Sequence, residues 1–281
     1  MILTLAWTWT AGFIPLIFGL GDEHFGGMIF KLMAGPAPSV VAIVLVFTTY
    51  TKIQKRDYFK RCFNVKQMGI KMPLLVMLFY AVVTAITVFI STSFLGGEMP
   101  EFSGMRVLAV QPYMILLYLF FAVISGPLNE EFGWRGFALD KLFSRYGFWV
   151  GSVILGVIWA AWHLPWYFNP GNGQYIAWQS APIIHGIIGF TLYQITFTCV
   201  ISIIYIKTKR SILMGAFIHM IGNFFTGSLL IYPFDDTYFL TLIWVRIVLE
   251  GAVCLYFILT PKFKNEINDT MTLLKDSQNN R

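Results

Sequence analysis

The stretch GPLNEEFGWRGFALDKL, Gly126 to Leu142, decides how the chain is read. It sets two adjacent carboxylates, Glu130 and Glu131, and the cation Arg135 between long apolar runs. An ionisable group at membrane depth costs roughly 3 kcal/mol or more unless it is paired or faces a polar cavity, so charges here need a reason. On a helix, Glu131 and Arg135 stand at i and i+4, within reach of an ion pair. Glu130 is turned by about 100° and meets a different neighbour. The spacing predicts that Glu131 and Arg135 brace a site in which Glu130 carries the chemistry.

Working outward, the 281 residues are 57% hydrophobic and only 12% charged, with mean hydropathy +0.68. Soluble domains carry about 25% charged residues, so lipid must solvate most of this surface. The net charge of +6 would suggest nucleic acid in a soluble chain. Here the Lys and Arg residues fall in loops, where they set orientation, and a nucleic-acid partner is discarded. With about 20 apolar residues per crossing, eight spans are expected at 3–20, 33–51, 72–94, 107–126, 148–168, 182–206, 212–232 and 238–260, with 128–143 as an extra helix. The fold class is therefore all-α, a polytopic membrane protein with one domain over 1–261 and a polar, loosely ordered tail over 262–281. The first apolar run has no basic n-region or cleavage site and reads as a retained span. The segment holding Lys52, Lys55, Arg56, Lys60, Arg61, Lys66 and Lys71 is fixed inside, whereas Asp22, Glu23, Glu98, Glu101, Asp235 and Asp236 fall outside. Both termini are then cytoplasmic, in a plasma-membrane setting. Cys62, Cys199 and Cys254 are scattered and suggest neither a disulfide framework nor a thiolate site.

Three further features break the apolar pattern. His163 lies in VIWAAWHLPWYF, His219 and Asn223 share a helix face in GAFIHMIGNFF, and Arg246 with Glu250 stand at i and i+4. Each has a plainer explanation. A membrane histidine is often a structural link between helices, the preferred account of His185. Arg246 and Glu250 can satisfy each other, which favours a structural pair over a substrate contact. His24, beside Asp22 and Glu23, reads as solvated. Trp159, Trp162, Trp166, Tyr167 and Phe168 read as packing and interfacial anchors. Against those accounts stands the fact that three separate segments each supply a carboxylate or imidazole. The turn at 144–147 makes a hairpin that sets Glu130 and His163 at comparable depth; the depth of His219 is left open.

A carboxylate and an imidazole on one water form a general base for attack on a carbonyl, and a second His with an Asn amide can donate to the oxyanion. The same Glu130, His163 and His219 are equally a zinc set with water in the open position. The residues leave both open: zinc, or no metal. No H-E-x-x-H, no G-x-S-G and no Asp pair within the spans is present. A non-enzymatic immunity or membrane-partner protein, and a transporter using Glu130, Arg135, Arg246 and Glu250, are the alternatives.

Glu130, Glu131 and Arg135, then His163, then His219 and Asn223 together resemble the three motifs of the CAAX protease and bacteriocin-processing (CPBP, or Abi) family: Glu-Glu-x-x-x-Arg, Phe-x-x-x-His and His-x-x-x-Asn. The second departs from the pattern, with Trp159 in place of Phe, an exchange expected to alter packing more than chemistry. The resemblance covers Gly126 to about Phe225. It implies an eight-helix intramembrane endopeptidase in which Glu130 and His163 activate water, while His219 and Asn223 stabilise the oxyanion. Many members are labelled metallo-endopeptidases, and the family's alternative is metal-free glutamate catalysis. The partners it implies are membrane lipid and a lipidated or membrane-associated peptide or protein; bacterial members are linked to peptide maturation and bacteriocin self-immunity.

Overall fold

The computed structural model describes residues 1–20, 25–124, 126–170, 172–226 and 235–279, which are helical with no strand among them. The chain opens with α1 (Ile2–Ile17), α2 (Phe25–Ala34), α3 (Ala37–Thr49), α4 (Lys52–Phe63), α5 (Val65–Met68) and α6 (Lys71–Phe94). After α7 (Ser103–Val110) come α8 (Ile115–Ile124), α9 (Pro127–Gly133) and α10 (Leu139–Tyr146), the last two joined by a π-helical turn, Trp134–Ala138. Then follow α11 (Phe148–Trp162), α12 (Gly173–Ser180), α13 (Phe190–Lys207), α14 (Ile212–Thr226), α15 (Asp236–Leu259) and α16 (Pro261–Asn279).

Among the described residues, five runs have the length and apolarity to cross a membrane: Lys71–Phe94, Pro112–Tyr146, Phe148–Phe168, Pro182–Lys207 and Asp236–Leu259. The pair α2 and α3, bent by 47°, counts as a sixth when taken as one span. Ile2–Ile17 and Ile212–Phe225 are apolar but shorter. The expected eight spans are thus not reached by length and composition. Residues 227–232 of the expected seventh span lie outside the described residues, as do Asp22, Glu23 and His24.

The hairpin turn falls at Gly147, whose φ of 76° suits a residue without Cβ, and it stacks α10 against α11. Gly133 allows α3 to lie directly on α9, since a Cβ there would sit 2.3 Å from the Pro38 carbonyl oxygen. On the side of the basic loop, two cations that fit an orientation signal prove to be structural. Arg61 is buried; its Nη1 donates to the Tyr205 hydroxyl at 2.6 Å and its Nε to Asp57 at 2.8 Å. Tyr205 in turn donates to Asp140 Oδ1 at 2.9 Å, and Arg210 Nη2 donates to Asp140 Oδ2 at 2.5 Å.

The tail corrects the sequence expectation, because Pro261–Asn279 is a helix. Phe263, Ile267, Met271 and Leu274 recur at helical spacing and pack on the core, and Lys207 Nζ donates to Glu266 at 2.9 Å. Its polar composition disguises an amphipathic stripe.

Candidate active site

Gly126 caps the start of α9, with Pro127 in the first helical turn where its missing N–H is not needed. One turn later, Glu130 and Glu131 point to different partners. Glu131 Oε1 accepts from Arg135 Nη1 at 2.8 Å, both side chains being fully buried. The same oxygen accepts from His219 Nδ1 at 2.8 Å, which ties α14 to α9. Arg135 Nε and Nη2 and Glu131 Oε2 are buried without a hydrogen-bond partner among the described residues. The guanidinium lies instead 4.3 Å from the centre of the Trp159 ring, where cation–π attraction acts.

Glu130, 6% exposed, turns its Oε2 to the indole of Trp159, which donates at 2.6 Å. Its Oε1 faces His219. A Cβ at Gly126 would lie 3.2 Å from Glu130 Oε1 and 3.0 Å from His219 Nε2. The two atoms are therefore no further apart than those distances together, and Gly126 has no room for a side chain between them.

His163 ends α11. Its Nδ1 lies 2.8 Å from the Trp159 carbonyl, which can only accept, so Nδ1 carries a hydrogen and Nε2 keeps its lone pair. Trp159 therefore meets all three groups, with its indole N–H on Glu130, its carbonyl on His163 and its ring edge-to-face with that of His219, 5.3 Å between centroids.

A cavity of about 660 Å³ is lined by Glu130, His163, His219 and Asn223 together. Met28, Leu32, Phe121 and Ile124 supply apolar wall, and Asn172 and Gln174 supply polar wall. The four residues expected to share a site thus come together; Glu131 and Arg135 stand behind them. Among the described residues, no three His, Cys, Asp or Glu side chains converge closely enough to hold a metal ion. Glu130, His163 and His219 face one space without forming a ligand set.

Arg246 and Glu250 stay outside the cavity. Arg246 Nε donates to Glu250 Oε1 at 2.7 Å, Tyr80 and Thr196 donate to the same carboxylate at 3.1 and 3.0 Å, and Arg246 Nη1 donates to the Tyr193 hydroxyl. The guanidinium packs 4.3 Å from the ring centres of Tyr193 and Phe197, which do line the cavity. The pair therefore supports the cavity wall from behind. His185 lines a separate apolar groove and meets Ser180 at 3.2 Å.

Two cavity residues escape the sequence reading. Composition assigns Trp159 to packing, and the signal for more is its place four residues before His163. Gln194 has no motif to mark it; its amide lies 3.2 Å from His163 Nδ1, across 31 residues of chain.

Residues 112–225 match the family model described as type II CAAX prenyl endopeptidase Rce1-like, a stretch that contains all six of Glu130, Glu131, Arg135, His163, His219 and Asn223. The chain is also 28% identical over 198 residues to CAAX prenyl protease 2 of Methanococcus maripaludis, covering 70% of each protein. The stretch that holds the candidate site is thus similar to type II CAAX prenyl endopeptidases.

Proposed function

We propose that this protease hydrolyses a peptide bond near the end of a lipidated, membrane-held peptide or protein, using water activated by Glu130 and His163. The observation that carries the reading is the convergence of Glu130, His163, His219 and Asn223 on one cavity within an apolar helical bundle. The lipidated substrate class rests on the relative named CAAX prenyl protease 2 and on the mixed apolar and polar cavity wall.

In the proposed step, the water gives one hydrogen to Glu130 Oε1 and directs the other to His163 Nε2, and its oxygen attacks the carbonyl carbon. The carbonyl electron pair moves onto oxygen. Collapse of that oxyanion breaks the C–N bond, and the proton held by Glu130 passes to the leaving nitrogen. Asn223 and His219 Nε2 donate to the oxyanion. The bond from its Nδ1 to Glu131 orients the His219 ring for this role. Among the described residues Glu130, His163 and His219 do not form a metal ligand set, and no step is assigned to zinc.

The same reading places both termini in the cytoplasm of a plasma-membrane protein, supported by the exposed Lys52, Arg56, Lys60, Lys66 and Lys71 on and around α4 and α5. A Lys66→Cys variant labelled by an impermeant maleimide from outside intact cells would reverse that orientation.

For the chemistry, the protein in liposomes is given an internally quenched peptide with or without a farnesylated C-terminal cysteine segment. Cleavage is expected for the lipidated peptide, unaffected by 1,10-phenanthroline and abolished in Glu130→Gln. Full cleavage by Glu130→Gln would remove the assignment, and loss of activity with phenanthroline that added zinc restores would replace it with a metal mechanism.

A further inference from the structure

Gln194 sits on α13 with its side chain 3% exposed, and it lines the same cavity as Glu130. Its amide lies 3.2 Å from His163 Nδ1. That nitrogen is already committed as a donor, because the Trp159 carbonyl 2.8 Å away offers no hydrogen. Placing the amide –NH2 against it would set donor against donor. The two ends of a Gln amide exchange by a half-turn about the last side-chain torsion, and the hydrogen-bond partners decide which end lies where. The end beside His163 is therefore Oε1, which shares the Nδ1 hydrogen with the Trp159 carbonyl.

This leaves the –NH2 turned from the ring. Among the described residues the amide has no other partner. The open side of this donor is the cavity, which Gln194 lines. The group that enters the cavity in the proposed reaction is a peptide bond, whose carbonyl oxygen is an acceptor that gains charge during attack. We propose that the Gln194 –NH2 donates to that oxygen and is a further catalytic residue of the site, alongside Asn223 and His219. The inference rests on the hydrolytic reading of the cavity. Gln194 then acts on His163 as well, since its Oε1 reinforces the Nδ1–H form of the ring that leaves Nε2 free for the water.

The test is Gln194→Met, which keeps length and volume and removes the amide. Because an oxyanion donor acts chiefly in the transition state, kcat is expected to fall about 100-fold with KM within about twofold. Inhibition by a peptidyl trifluoromethyl ketone, whose hydrate mimics the tetrahedral oxyanion, should weaken by a similar factor. Affinity for the uncleaved peptide, measured on a Glu130→Gln background, should stay unchanged. A kcat within threefold of the parent, or a rise in KM with kcat preserved, overturns the assignment. A melting temperature matching the parent separates lost chemistry from lost folding; if Gln194→Met melts early, Gln194→Glu, which keeps shape but presents an acceptor, serves in its place. Glu130→Gln run in parallel distinguishes the two readings. If it is inactive while Gln194→Met is fully active, only the present inference fails. If it is active, the hydrolytic reading itself fails.

Discussion

Replacing Trp159 by Phe isolates a single hydrogen bond. The ring that stacks on Phe197, at 5.5 Å between centroids and 24° between planes, is retained in part, and the backbone carbonyl that receives His163 Nδ1 is untouched. What disappears is the indole N–H that reaches Glu130 Oε2 at 2.6 Å. Hydrogen bonds to a charged group contribute about 1.5–3 kcal/mol. If that contribution serves to aim Oε1 at the water, its loss raises the barrier by a similar amount, which is about one to two orders of magnitude in rate. The exchange keeps an aromatic ring in the same slot, so the variant is expected to fold. The assay is kcat and KM on the lipidated quenched peptide in liposomes, with Glu130→Gln as the zero. We expect kcat to fall by about 10- to 100-fold and KM to hold. A variant that cleaves at the parent rate would show that packing alone orients Glu130, and the role given to the indole would be withdrawn.

Glu131→Gln removes the charge between Arg135 and His219, each held at 2.8 Å; leaving a buried guanidinium uncompensated costs roughly 3–5 kcal/mol, or on the order of 10 °C in melting temperature, and an unchanged melt in detergent would contradict it. Gly126→Ala places a methyl 3.0 Å from His219 Nε2 and 3.2 Å from Glu130 Oε1, side-chain atoms that can yield, so cleavage should drop at least about tenfold with the fold intact; full activity would mean those groups need not stay close. Gly133→Ala meets the Pro38 backbone at 2.3 Å, which cannot yield, and a monodisperse preparation from size-exclusion chromatography would refute the closeness of α3 and α9. Arg246→Met should destabilise by roughly 3–5 kcal/mol while Arg246→Met with Glu250→Leu recovers much of the loss and keeps cleaving; an inactive but stable double variant would instead make the pair part of the substrate site.

Sequence position alone is informative where the relevant contact is local. The i, i+4 spacing of Glu131 and Arg135 matches their ion pair, the turn at Gly147 explains why Glu130 and His163 reach one cavity, and the apolar runs mark α6, α11, α13 and α15. It stops where the contact is distant or where one property hides another. The depth of His219 depends on how α14 leans on α9, which no local spacing encodes, and the answer is the bond from Nδ1 to Glu131. Trp159 shows an apolar surface and one N–H; composition reports the first, and only the packed bundle brings the second to Glu130. The tail misleads because its polar residues outnumber the few that form the stripe from Phe263 to Leu274.

The two histidines are held in the same state at Nδ1 by unlike partners, and that difference divides their work. His163 Nδ1 meets the Trp159 carbonyl, which can only accept, so the neutral ring carries its hydrogen at Nδ1 and offers Nε2 to a water hydrogen. His219 Nδ1 meets the Glu131 carboxylate at 2.8 Å, which orients the ring from α9 and leaves Nε2 beside Gly126 and Glu130. The two rings thus face the same cavity from α11 and α14, and Glu130 faces it from α9. Losing one of those partners would undo the arrangement even with all four cavity residues in place: Glu131→Gln is expected to lower cleavage by releasing the orientation of His219, beyond any loss of stability. Retained cleavage in a folded Glu131→Gln would mean that the Glu131 carboxylate is not needed to aim that ring.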